Sequence, residues 1–353
     1  MRRLDRHPRR GTPSRIRARP AGVCRWSCIV SALALALAGC GLRADRDREP
    51  LVVATVRQPA TALFFVARES GCFDDERLQV VEHGFELGRD AVSLLLQNRA
   101  DVAIAFETPT LRAAVADERI RVLTTLHKSM RNTRLVARRD RGFASFSELA
   151  GARIGLAEGS NADFFVDLVL RFGGVPRSGV TIVNLFPEAS VGALARGELD
   201  AAVLSDPWAA RAEQLLGDDA RVLQTDLYTE MSLLLTRDDV LHTREGALRR
   251  LVRGLACGER VSREHPEEAL RRIRARFPEL GERELREQLS RVEWGLGLDH
   301  VLLGVLRDER DWFRDSGGLE GAGPDLQRLL ARGLLEDVEP EAVMLLPATG
   351  AAR

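Results

Sequence analysis

Five short segments of this 353-residue chain combine residue types able to hold a small polar ligand. They are Arg57-Gln58-Pro59-Ala60-Thr61, Gly84-Phe85-Glu86-Leu87-Gly88, Glu107-Thr108-Pro109-Thr110, Glu158-Gly159-Ser160-Asn161 and Ser205-Asp206-Pro207-Trp208. Most follow an apolar, strand-like run, and the carboxyl ends of strands are where open α/β sheets bind ligands. Ser160 and Asn161 would open a helix whose first backbone N–H groups face the crevice. Phe85 and Trp208 offer aromatic walls. Glu107 and Asp206 are two acids that would oppose an anion and favour an amine or a heterocyclic N–H. The competing expectation is a Glu107 turned to solvent or to an arginine. Singly, each segment is ordinary loop chemistry. Together they converge on one cleft, the geometry of a small-molecule site.

Signatures of covalent or cofactor chemistry are missing. The chain has no G-x-G-x-x-G loop, and its single lysine, in His127-Lys128-Ser129, lacks the glycines of a phosphate-binding loop. No G-x-S-x-G elbow frames a nucleophile. His7, His83, His127, His242, His265 and His300 have no partner at metal-ligand spacing, and each reads as a surface or hydrogen-bonded residue. No catalytic residue, cofactor or metal is expected.

The elements that must position these segments alternate strictly from Leu51 onward. Strand-like runs at 51–56, 101–106 and 121–126 alternate with helical segments at 61–70 and 89–98. A second set, 152–157, 180–185, 200–204 and 221–225, is interleaved with helices near 160–173, 188–196 and 207–216. Continuous apolar strands between helices argue for parallel pairing covered on both faces. Ser160 is a good N-cap for a helix carrying Phe164, Phe165, Leu168, Val169 and Phe172 on one face. After 232–237, residues 244–335 read as helical, with Pro266 suited to a first turn.

Residues 1–39 have a different character. Nine arginines against the one acid Asp5 precede a 12-residue apolar run, Ser27 to Ala38, and Leu37-Ala38-Gly39-Cys40 closes the segment. A basic zone, a short apolar zone and small residues describe an export signal. The end resembles a bacterial lipobox, with Cys40 as the lipidated first residue of the mature protein and 40–50 as a tether. The whole chain is neutral, 52 basic against 52 acidic residues, but removing a +8 leader leaves 0 − 8 = −8. Neither value suits a nucleic-acid binder. Cys72 and Cys257 are expected to be buried thiols, although an exported compartment would permit a disulfide.

Several longer stretches carry a family resemblance: 93–111 (SLLLQNRADVAIAFETPTL), 145–175 and 193–208 (ALARGELDAAVLSDPW), then His265-Pro266-Glu267-Glu268-Ala269 and a helix ending at Trp312. Their order and spacing resemble lipid-anchored or periplasmic substrate-binding proteins of ATP-driven importers, in the group handling nitrate, alkanesulfonates, taurine and thiamine-pyrimidine precursors. The resemblance implies an α/β clamshell of two lobes, each a doubly wound mixed sheet flanked by helices. Lobe one would be 51–138 plus 233–338, lobe two 139–232, and 339–353 a tail. It also implies ligand contacts at Gln58, Phe85, Gly88, Glu107, Thr108, Pro109, Ser160, Asn161, Asp206 and Trp208. The partners would be a small solute, a permease with its ATPase, and a membrane through Cys40; the protein would act as a monomer outside the cell. A sensory module on the same scaffold would look alike in sequence. A pyrimidine-synthase-like enzyme would need a cysteine-rich motif that this chain lacks.

Overall fold

The computed structural model describes residues 49–345; the leader, Cys40 and the last eight residues lie outside the described part. The first sheet has the order β11-β4-β10-β3-β1-β2. Its strands are β1 (Glu49–Val56), β2 (Leu78–Phe85), β3 (Val102–Phe106), β4 (Ile120–Ser129), β10 (Glu230–Arg237) and β11 (Glu293–Gly297). The second sheet, β7-β6-β8-β5-β9, contains β5 (Arg134–Arg138), β6 (Arg153–Leu156), β7 (Thr181–Asn184), β8 (Ala201–Leu204) and β9 (Ala220–Leu223). Each sheet carries its own apolar core, so the molecule is an α/β protein of two lobes.

Both sheets are mixed. β1 runs parallel to β2 and β3, as the apolar runs suggest, and β6 runs parallel to β7 and β8. β10 pairs antiparallel with β3 and β4, and β5 pairs antiparallel with β8 and β9. Those antiparallel strands are where the chain passes between lobes. Arg134–Arg138 belongs to the second sheet and Glu230 already to the first, so the passages lie at 130–133 and 224–229. The expected boundaries at 138/139 and 232/233 are thus too late. The strand pattern missed β5 because two arginines flank its three apolar residues; Arg134 is fully buried through ion pairing.

The helices that matter for the cleft follow strand ends: α1 (Ala62–Glu69), α2 (Gly88–Leu96), α3 (Glu107–Ala116), α4 (Asn161–Phe172), α5 (Pro187–Ala195) and α6 (Trp208–Leu216). Ser160 caps α4, its Oγ accepting from the Ala162 N–H at 3.2 Å. Phe164, Phe165 and Val169 are buried as the spacing requires, but Phe172 is 67% exposed at the last turn.

The returning segment supplies α7 (Glu245–Glu264), α8 (Pro266–Arg276), α9 (Glu282–Leu289) and α10 (His300–Asp315), and also the edge strand β11. α7 packs on α1 and is tied to the first lobe by a Cys72–Cys257 disulfide with Cα atoms 5.9 Å apart, so these cysteines are not the free thiols expected. The 339–345 part of the expected tail packs back on the first lobe, with the Met344 N–H donating to Leu298 O at 2.9 Å. Among the described residues no helix is long and apolar enough to cross a membrane.

Candidate functional site

The ends of β1, β2 and β3 face the ends of β6 and β8 across a cleft. Between them lies a cavity of about 30 Å³, roughly the space of a single water. The first lobe contributes Gln58, Glu86, Leu87, Gly88, Phe106 and Pro109, and the second Ala157, Ser160, Asn161, Ala162, Pro187, Val203, Leu204, Ser205 and Trp208. Two glycines allow this approach. A Cβ on Gly88 would sit 3.1 Å from Ala105 Cβ and 3.3 Å from Pro109 Cγ, so a larger residue would push α2 off the β3–α3 junction. Gly159 has φ +78°, the left-handed conformation that only glycine adopts cheaply, and it turns the chain from β6 into α4.

Gln58, Gly88, Pro109, Ser160, Asn161 and Trp208 therefore meet at one cavity. Phe85, Glu107, Thr108 and Asp206 do not line it. Phe85 ends β2 and rests against the first-lobe core. Its neighbour Glu86, inside the same Gly84–Gly88 turn, takes the place on the cleft wall.

Asp206 is held by two arginines. Arg134 donates to Oδ1 at 2.8 Å and Arg291 to Oδ2 at 2.7 Å, while Arg134 also donates to Glu213 at 2.7 Å. With each oxygen engaged by a guanidinium, one fully and one partly buried, Asp206 fastens β5, α6 and the end of α9 together and stands off the cavity wall.

Glu107 is turned neither to solvent nor to an arginine. It is fully buried, accepting from the Tyr228 hydroxyl and, at 2.9 Å, from the Met231 N–H. Burial, reinforced by the charge of Glu230, raises its carboxyl to about 8. Thr108 donates at 2.7 Å to Glu309, a second fully buried acid on α10 whose other oxygen has no partner. Burial and the nearby Glu107 raise Glu309 well above the usual carboxylate range.

Glu230, which no motif or spacing marks out, organises the cavity floor. It accepts from Asn132 Nδ2 at 2.6 Å, Asn161 Nδ2 at 2.9 Å and Ser205 Oγ at 3.4 Å, and also from Thr133 Oγ1. Glu230 begins a first-lobe strand, whereas Asn161 and Ser205 belong to the second lobe, so this carboxylate clasps the lobes beneath the cavity. His127 lies between Ser232 Oγ at 2.6 Å and Glu230 at 3.3 Å. Those are the residue types of a hydrolytic triad, but Ser232 is fully buried between strands and is not on the cavity wall.

Other contacts bridge the lobes around the cleft. Arg89 donates to the Glu158 carbonyl and lies 5.6 Å from the Phe186 ring centre. Arg112 pairs with Asp163 at 3.3 Å, and Trp312 Nε1 donates to Asp167 at 2.7 Å. Trp312 and Phe313, from the returning chain, join the core of the second lobe. Among the described residues no group of three or more His, Cys, Asp or Glu could hold a metal ion.

This two-lobe arrangement is shared with solved structures. The alkanesulfonate-binding protein SsuA of Xanthomonas axonopodis pv. citri, solved with bound MOPS, superposes with a TM-score of 0.69 at 16% identity, covering 80% of this chain and 98% of that one. The desulfurization enzyme DSZB superposes at 0.64 with 17% identity, covering 83% and 99%. At such identities the likeness establishes the fold. A Brucella abortus protein that carries a binding-protein name is 24% identical over 133 residues, 36% of this chain, and the match spans 42% of that relative's length. The NMT1/THI5-like family profile matches residues 58–269, well over half of the sequence. With the profile crossing both lobes and the cavity between them, the chain belongs to the NMT1/THI5-like family.

Proposed function

We propose that this protein is an extracytoplasmic solute receptor of the ABC-importer type, which captures a small polar organic solute between its lobes and delivers it to a membrane permease. The observation that carries this reading is the cavity itself, built from strand ends of both lobes with the start of α4 on one wall and Gln58 on the other. A space of about 30 Å³ accommodates no organic solute without the lobes moving apart, so occupancy and lobe angle are coupled. In this reading residues 49–129 and 230–345 form one lobe and 130–229 the other, moving about the two passages.

Each wall has a role. Trp208 supplies an apolar face, Ser160 and the first turn of α4 favour an acceptor group, and Asn161, fixed by Glu230, links the ligand wall to the clasp. The solute classes are those bound by proteins of this fold and group, sulfonates, taurine and nitrate, with a thiamine-pyrimidine-like heterocycle stacked on Trp208 as the second class. Affinity comes from excluded water and fixed hydrogen-bond partners, without catalysis; burial of Ser232 supports a non-enzymatic role. Lipidation at Cys40 would hold the monomeric receptor beside its permease, and the disulfide suits the oxidising compartment this requires.

A thermal-shift screen of the purified protein against alkanesulfonates, taurine, nitrate and pyrimidines tests the reading. A saturable rise in Tm with one class, lost in Trp208→Ala, is expected. No response to any class would overturn it.

A further inference from the structure

Two acceptor oxygens on the first-lobe wall are out of contact with solvent and lack a hydrogen-bond partner: Gln58 Oε1, on a side chain only 7% exposed, and Glu86 Oε1. Both residues line the cavity. A buried acceptor left unpaired costs free energy that a donor can recover, and the cost is larger for a carboxylate. Burial and the charges of Glu188 and Asp90 make Glu86 a poorer acid than usual, so its surroundings favour arrival of a positive group. The nearest cation in sequence does not serve: Arg89 is engaged with the Glu158 carbonyl and the Phe186 ring. The aliphatic stem of Arg57 lies against Gly84, within 2.8 Å of where a Cβ would stand. On the opposite wall the start of α4 presents positive potential. The cavity is therefore polarised, with unpaired acceptors on one side and the positive end of a helix on the other.

From this polarity we infer that the solute carries a cationic nitrogen, an ammonium or amidinium group, which donates to Glu86 and Gln58, with its acceptor end toward Ser160. The inference rests on the solute-receptor reading and narrows it: a plain sulfonate or nitrate would leave both first-wall acceptors unpaired. It also moves the acid that selects an amine from Glu107 and Asp206, which are otherwise engaged, to Glu86.

Calorimetric titration of the full chain with matched pairs tests this: taurine against ethanesulfonate, β-alanine against propionate, acetamidine against acetamide. The nitrogen-cation member of at least one pair should bind about tenfold or more tightly than its partner, in line with a charge-assisted hydrogen bond. Glu86→Gln and Gln58→Leu should each reduce that preference several-fold. Equal or tighter binding of the uncharged-nitrogen or nitrogen-free members, or a preference untouched by both variants, overturns the inference and leaves the receptor reading standing. Binding by no member of any pair, together with no response in the thermal-shift screen, overturns both.

Discussion

Two buried acidic centres meet at the junction of the lobes and behave in opposite ways. Glu230 and Asp206 are surrounded by donors: amides and hydroxyls for the first, two guanidinium groups for the second. Glu107 and Glu309 are as deeply buried but have fewer partners, one hydroxyl and one N–H for Glu107, and a single hydroxyl for Glu309. Burial alone does not decide what a carboxyl does. A carboxyl ringed by donors ties segments together, whereas one buried with few donors is pushed toward holding a proton. Neither centre offers a free oxygen to the cavity, which leaves that role to Glu86 and Gln58.

The largest effect should come from stripping the donor-rich centre of its cation. Arg134→Ala leaves Asp206 with Arg291 alone and Glu213 without its partner, and should lower unfolding stability by about 3–5 kcal/mol in urea titrations. A loss under about 1 kcal/mol would show the pair to be solvated in solution, and the contrast between the centres would fail. Glu230→Gln keeps shape but turns its one NH2 group against the donor of either Asn161 or Asn132. A loss of about 1–3 kcal/mol is expected, together with weaker solute binding because Asn161 is no longer fixed. Unchanged binding would separate the clasp from the ligand wall.

The proton-holding centre should give a smaller effect whose signature is its pH dependence. Folding raises Glu107 from the ordinary 4.5 to about 8, so between those values the native state keeps a proton that the unfolded chain releases. This contribution to stability is complete below about 4.5 and disappears as pH rises through about 8. Glu309 is shifted in the same direction. Glu107→Gln, neutral at every pH, should gain in Tm relative to the parent between pH 5 and pH 9. A constant Tm difference over that range would mean that Glu107 is ionised when buried.

The sequence disclosed one part of this arrangement and hid the other for definite reasons. Strand ends could be located because β1, β3 and β8 are short, apolar and followed by Gly, Pro or Ser, and six of the ten expected ligand residues line the cavity. Ser160 as N-cap was legible because the cap is a local interaction. The roles of Glu107 and Asp206 were not, because their partners Tyr228, Arg134 and Arg291 lie far along the chain. An acid in a strand-end loop looks the same whether it faces a ligand or an arginine. Glu230 was hidden for the same reason: its donors come from the connection at 132–133 and from the second lobe. Cys72 and Cys257, 185 residues apart, meet only because α7 returns to the first lobe.

The central claim is that the cavity between Gln58 and Trp208 is a solute site. The direct measurement is electron density from a crystal of the protein grown with the panel solute that raises Tm most. Density for that solute is expected enclosed by both lobes, with its nitrogen toward Glu86 and Gln58 and its acceptor end toward Ser160. Density at any other position, or a cleft holding only water at a solute concentration that saturates the thermal shift, would contradict it.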